Sequence, residues 1–146
     1  MLEIGDKAPD FEAESTEGPV RLYTYKGKKN VILIFYPLNN TSGCRKQLCA
    51  ARDALDEYAE LDTAVFGINP GKFAGHQKFA QKHRFGFPLI YDEMWKIAYA
   101  YRILTLGGLM QARTVYVLDK EMIVRHVERG TPTTARLKEI LNECNG

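Results

Sequence analysis

With 146 residues the chain is long enough for one domain to bury a core without disulfide staples, and three cysteines are too few and too scattered for a secreted disulfide scaffold. A net charge of +2 without a dense Lys/Arg cluster gives no electrostatic footprint for nucleic acid, and the most basic stretch, "YKGKKN" (25–30), reads as a solvated turn. No basic segment followed by an apolar one opens the chain, and no apolar run approaches the roughly 18 residues of a membrane span, so a cytoplasmic protein without membrane contact is expected.

No internal repeat or linker interrupts the sequence, which predicts one continuous domain over residues 1–146. "FEAEST" (11–16) and "VRLYTY" (20–25) flank Glu17-Gly18-Pro19 and suggest a weak β-hairpin. "VILIFY" (31–36) is apolar without alternation, the pattern of a central strand buried on both faces. A helix over 43–60 follows, with Leu48, Ala51, Leu55, Tyr58 and Ala59 on one stripe. "TAVFGIN" (63–69) reads as a strand, 72–84 as a helix after the turn Asn69-Pro70-Gly71, and "FPLIY" (87–91) as another strand. Residues 93–101 carry Met94, Ile97, Ala98 and Tyr101 at helical spacing. "TVYVLD" (114–119) and "MIVRHV" (122–127) form a hairpin around Lys120-Glu121. The last helix opens on Thr131-Pro132 and sets Leu137, Ile140, Leu141 and Cys144 on one face. Alternating strands and helices that end in a hairpin and a helix imply an α/β domain. Its mixed central β-sheet is flanked by helices in a thioredoxin-like fold, with an N-terminal β-hairpin.

The chemistry concentrates at the start of the second predicted layer, where Cys44 and Cys49 follow "PLNNTSG". A structural zinc site needs four ligands in close pairs, which neither the cysteine spacing nor His76, His83 and His126 supplies. No metal or other cofactor is expected. A thioredoxin-type dithiol uses Cys-x-x-Cys, and this pair has two extra residues. Five residues of regular helix give about 7.5 Å of rise and about 140° of rotation, so the Cα atoms would stand roughly 8.7 Å apart. A disulfide bridges at most about 7 Å without backbone movement, so this pair could join only if the helix opened. The same rotation sends Cys49 towards Asp53 and Asp56, nearer the surface, while Cys44 faces the body of the protein. Cys44 also lies in the first helical turn beside Arg45 and Lys46, where unpaired N–H groups and positive charge favour a thiolate. Position and charge nominate Cys44 as a nucleophile.

"PLNNTSGC" fits the peroxiredoxin active-site pattern Pro-x-x-x-Thr/Ser-x-x-Cys, with Pro37, Thr41 and Cys44 in register. The gap to Cys49 resembles the Q-type subfamily, also called bacterioferritin comigratory proteins, within the alkyl hydroperoxide reductase/thiol-specific antioxidant family. "GDKAPDF" (5–11), "GKKNVILIFYP" (27–37), Arg52-Asp53 and "RTVYVLD" (113–119) extend the resemblance over nearly the full length. The resemblance implies a thiol-dependent peroxidase acting on hydrogen peroxide and organic hydroperoxides. Cys44 would attack the peroxide and become a sulfenic acid, with Thr41 offering its hydroxyl and Pro37 shielding the thiolate. Arg113 would bind the thiolate and the peroxide oxygens, and Cys49 would condense with the sulfenic acid into an intramolecular disulfide. Thioredoxin or a glutaredoxin-like reductant would then recycle the enzyme, a monomer or homodimer.

Two residues depart from the subfamily pattern. Ser42 stands where a proline is common, and Gln47 stands where a glutamate is usual, which puts the polar network behind the active site in question. "TLGGLMQ" (105–111) reads as a flap or a contact surface. Cys144 reads as a packing residue, with an intersubunit disulfide left open. Two rivals share the fold: a thiol–disulfide oxidoreductase, disfavoured by the missing Cys-x-x-Cys, and a redox-sensing binding module.

Overall fold

In the computed structural model, which describes residues 1–37, 42–105 and 110–146 and only the backbone of 42–44 and 110, the chain opens with the expected hairpin. Strands β1 (Glu12–Ser15) and β2 (Gly18–Arg21) pair antiparallel across Gly18, whose φ of +97° few other residues tolerate. "VRLYTY" does not continue as a strand. Leu22–Tyr25 coils into a 3-10 turn that drives Leu22 fully into the core.

β3 (Asn30–Phe35) follows, then α1 (Ser42–Asp53), α2 (Leu55–Glu60), β4 (Thr63–Asn69), α3 (Phe73–His83) and β5 (Leu89–Tyr91). A 3-10 turn, Glu93–Trp95, leads into α4 (Lys96–Ala100). β6 (Leu104–Thr105) and β7 (Met110–Gln111) make a separate two-stranded ribbon. β8 (Thr114–Leu118), β9 (Val124–Arg129) and α5 (Thr134–Asn145) complete the chain. The main sheet has the order β2-β1-β5-β4-β3-β8-β9. β3, β4 and β5 run parallel, and the other neighbours pair antiparallel.

β3 explains why its sequence does not alternate. Val31, Leu33 and Phe35 enter one apolar cluster with Tyr101 and Tyr116, while Ile32, Ile34 and the following Tyr36 enter another with Leu48, Tyr58 and Leu141. Helices α1, α2, α3 and α5 cover the second face, and α4 with the N-terminal segment covers the first. Both clusters need the same strand, so β3 is the centre of a three-layer α/β sandwich, the thioredoxin fold.

Three predicted helices change on folding. The single helix over 43–60 bends at Ala54 (φ −97°, ψ 3°), although Ala54 N–H still donates to Ala50 O and Tyr58 N–H to Ala54 O. The bend keeps Ala51, Ala54 and Tyr58 buried but turns Ala59 out to solvent, off its expected stripe. The helix expected over 93–101 is broken by left-handed Met94 and Trp95, leaving Met94 82% exposed. The cause is Asp92, whose buried carboxylate accepts from Ile97 N–H at 2.8 Å and Ala98 N–H at 2.9 Å and so starts α4 late. The last helix takes its cap from Thr133, whose Oγ1 accepts from Arg136 N–H at 3.1 Å, and not from Thr131-Pro132.

Candidate active site

Sheet register brings the key segments to one corner. Phe35 faces Thr114 across the antiparallel β3–β8 pair, so the next residues outward, Tyr36 and Arg113, emerge side by side at the strand ends. Pro37 follows Tyr36 and is half-buried. At this end of a parallel pair the chain leaves β3 and enters α1, so the helix N-terminus opens towards the same corner. The backbone of α1 places Cys44 in its first turn, where N–H groups lack intrahelical partners. Thr41 and the side chain of Cys44 lie outside the described residues.

Arg113 is fixed by a partner from α1. Its Nη1 donates to Gln47 Oε1 at 2.9 Å. Gln47 Nε2 makes a longer bond of 3.4 Å to Gly130 O, and Gly130 N–H donates back to Arg113 O at 2.9 Å. Gly130 has φ +97°, the conformation that lets the chain turn from β9 back to Arg113. The ring Arg113–Gln47–Gly130 therefore closes with an amide at the position where the subfamily pattern has a carboxylate. Gln47 comes three residues after Cys44, one turn along the same side of α1, so this bond holds the guanidinium beside the helix start.

Behind this corner lie polar residues that pattern reading missed. Tyr36 O accepts from Asn69 Nδ2 at 3.0 Å and from Gln111 Nε2 at 2.9 Å. Gln111 Nε2 also reaches Ile68 O at 3.0 Å. Asn69 and Gln111 are both buried. The available signal was a lone amide among apolar residues just before an apolar strand, in a stretch expected to be a flap.

Cys49 is half-buried and packed at the edge of the helix-side cluster, and the expectation that it lies nearer the surface than Cys44 involves a side chain outside the described residues. Arg52, one turn further on the same flank, donates from Nη1 to His83 O at 2.7 Å, so the end of α3 covers that side of α1. Cys144 packs against the same cluster, and burial raises its thiol above the ordinary range, which suits an inert core residue. His76 is fully buried, with Nε2 at 3.2 Å from both Asn69 O and Ile90 O. His83 is half-buried, and its ring stacks on Phe85. Among the described residues no group of His, Cys, Asp and Glu is arranged to hold a metal ion, and no helix is long and apolar enough to cross a membrane.

Residues 4–127 match the AhpC/TSA family. The chain is 37% identical over 127 residues to Peroxiredoxin Bcp of Bacillus subtilis (strain 168), covering 82% of this chain and 80% of that protein. It is 38% identical over 125 residues to the chloroplastic Peroxiredoxin Q of Triticum aestivum, covering 84% of this chain and 57% of that longer protein. Among solved structures, peroxidoxin BcpB from Mycobacterium tuberculosis superposes with a TM-score of 0.87 at 30% identity, covering 99% of this chain and 97% of that one. A mutant PrxQ from Xylella fastidiosa, 19% identical with a TM-score of 0.85 over 99% and 96% of the two chains, shares the fold.

Proposed function

The chain belongs to the AhpC/TSA family and is a thiol-dependent peroxidase, and we propose that Cys44 is its nucleophile and Cys49 its resolving thiol. The Cys44 thiolate attacks the terminal oxygen of hydrogen peroxide or an organic hydroperoxide. An S–O bond forms to the terminal oxygen, which keeps its hydrogen, the O–O bond breaks, and the hydroxide or alkoxide leaves and takes a proton from solvent. Cys44 is thereby oxidised to a sulfenic acid. Arg113 donates hydrogen bonds to the thiolate and to the oxygens on which charge develops, Thr41 orients the peroxide, and Pro37 keeps water from the sulfur. The Cys49 thiolate then attacks the Cys44 sulfur, an S–S bond forms, the S–O bond breaks, and the hydroxide that leaves takes a proton from solvent to become water. A thioredoxin or glutaredoxin-like dithiol reduces the disulfide by exchange.

The observation that carries this assignment is the Arg113–Gln47 bond, which supports a guanidinium held against the helix whose first turn contains Cys44. A thiol–disulfide oxidoreductase or a binding module lacks this support, since neither needs a cation fixed there for oxyanion charge. The cycle suits a reducing compartment such as the cytoplasm and asks no more than a monomer or homodimer of one continuous domain.

Peroxide consumption coupled to thioredoxin and its reductase tests the proposal. Wild type should turn over, and Cys44→Ser should be inert. Cys49→Ser should consume a single equivalent of peroxide and then stall with a dimedone-reactive Cys44. Full activity in Cys44→Ser would sink the mechanism, and a Cys44–Cys144 bridge in peptide mapping of oxidised wild type would move the resolving role.

A further inference from the structure

Gln111 is 4% exposed, and it spends its whole donor capacity on two backbone carbonyls, Tyr36 O at 2.9 Å and Ile68 O at 3.0 Å. Its own Oε1 is buried and finds no donor among the described residues. An apolar side chain would fill the same space without stranding an acceptor, so what distinguishes this residue is its pair of N–H bonds. Both go to the last rung of the β3–β4 ladder, where Tyr36 N–H donates to Ile68 O at 3.1 Å. The Tyr36–Pro37 peptide carries no N–H, so its plane is set through the Tyr36 carbonyl, which receives Gln111 and Asn69 together. Gln111 belongs to β7, in the ribbon outside the main sheet, two residues before Arg113. One side chain thus ties the segment that carries Arg113 to the strand end from which the chain runs on to Cys44.

We infer that Gln111 is a positioning residue for peroxide reduction, stapling the Arg113 segment to the Tyr36–Pro37 peptide so that guanidinium and nucleophile stay in reacting alignment. This rests on the assignment of Cys44 and Arg113 made above. Cleavage of an O–O bond depends on the placement of a donor relative to the attacking sulfur, and small misplacements are costly. Alkylation by iodoacetamide needs only an ionised, accessible thiol. The two reactions at one sulfur therefore separate alignment from general integrity.

The test compares wild type, Cys44→Ser, Gln111→Met and Gln111→Leu. Met keeps the length and burial of the side chain without its N–H groups and removes the stranded oxygen, so it is the variant best suited to fold. Single-turnover rate constants with hydrogen peroxide are measured beside the rate of Cys44 carbamidomethylation, followed by peptide mass at the same pH. The peroxide rate constant should fall at least about tenfold in both variants, while Cys44 alkylation stays within about twofold of wild type. If peroxide reactivity stays within about twofold, or both reactions fall equally, Gln111 is a structural residue and the inference is overturned. If wild type shows no peroxide reaction that Cys44→Ser abolishes, the assignment of Cys44 fails first and takes this inference with it.

Discussion

Arg113 meets α1 through a neutral partner, and that sets how its charge is shared. Gln47 Oε1 orients the guanidinium at 2.9 Å without neutralising it. Gln47→Leu should leave the fold intact but lower the peroxide rate constant about tenfold, by loosening the donor that faces developing charge. Gln47→Glu should hold Arg113 more tightly through a charge-assisted bond while adding negative potential near the helix start. Its pH–rate profile should therefore move to higher pH as the Cys44 thiolate becomes harder to form, and no movement would show that Gln47 acts through geometry alone. Cys44 and Pro37 were proposed from a motif, and Arg113 from the family resemblance of "RTVYVLD". Gln111 and Asn69 were not, because a side-chain amide that caps strand-end carbonyls leaves no periodicity in the sequence.

At the scale of elements, α1 holds Cys44 and Cys49, the proposed reacting pair, in one continuous helix, Ser42–Asp53, so a Cys44–Cys49 bond requires that helix to open. Oxidation with one equivalent of peroxide should lower the far-UV helical signal and raise amide exchange over residues 42–50. An unchanged exchange pattern in a protein shown to carry the bond would overturn that requirement. Leu48 anchors the same helix and is fully buried close to Gly67, where an added Cβ would lie 2.8 Å from Leu89 Cδ2 and 3.5 Å from Leu48 Cδ2. Leu48→Ala should cost about 2–5 kcal/mol of global stability in a denaturant titration and speed disulfide formation in stopped flow. The strands were legible because burial on two faces or one writes itself into the apolar pattern. The Leu22–Tyr25 turn and the left-handed Met94–Trp95 step were not, since each follows from a tertiary demand: the burial of Leu22 and the capping of α4 by Asp92.

For the whole molecule, two clusters share one sheet, and the buried ionisable groups between sheet and helices set the response to pH. Burial pushes His76 below the usual histidine range, outweighing its bonds to the carbonyls of Asn69 and Ile90. Below the ordinary value of 6.5 the unfolded chain takes up a proton that folded His76 refuses, so stability falls as pH drops through 6.5 towards the folded value. Asp92 opposes this in a more acidic window. Burial raises its carboxyl, so its contribution is fully present below 3.8 and lost as pH rises through its folded value. Unfolding free energy should therefore fall between about pH 7 and pH 5, with a slope of at most about 1.4 kcal/mol per pH unit from one proton, and Tm should fall with it. His76→Gln, which cannot charge, should flatten that slope in calorimetry, and an unaltered slope would assign the loss elsewhere. The surface ion pairs, such as Lys138–Glu57 at 2.6 Å, involve side chains 37% and 50% exposed and should matter little.

The unbroken helix α1 also acts as a clock. With the proposed roles of Cys44 and Cys49, a sulfenic acid at Cys44 would wait without its partner until the helix opens, and a second peroxide would carry it to the sulfinic acid, which dithiol reductants do not restore. The rate of local opening, set against the rate of peroxide arrival, would then define an oxidant dose above which the enzyme retires itself. A protein with a firmer α1 would hold its thiolate better at low dose and be silenced sooner at high dose.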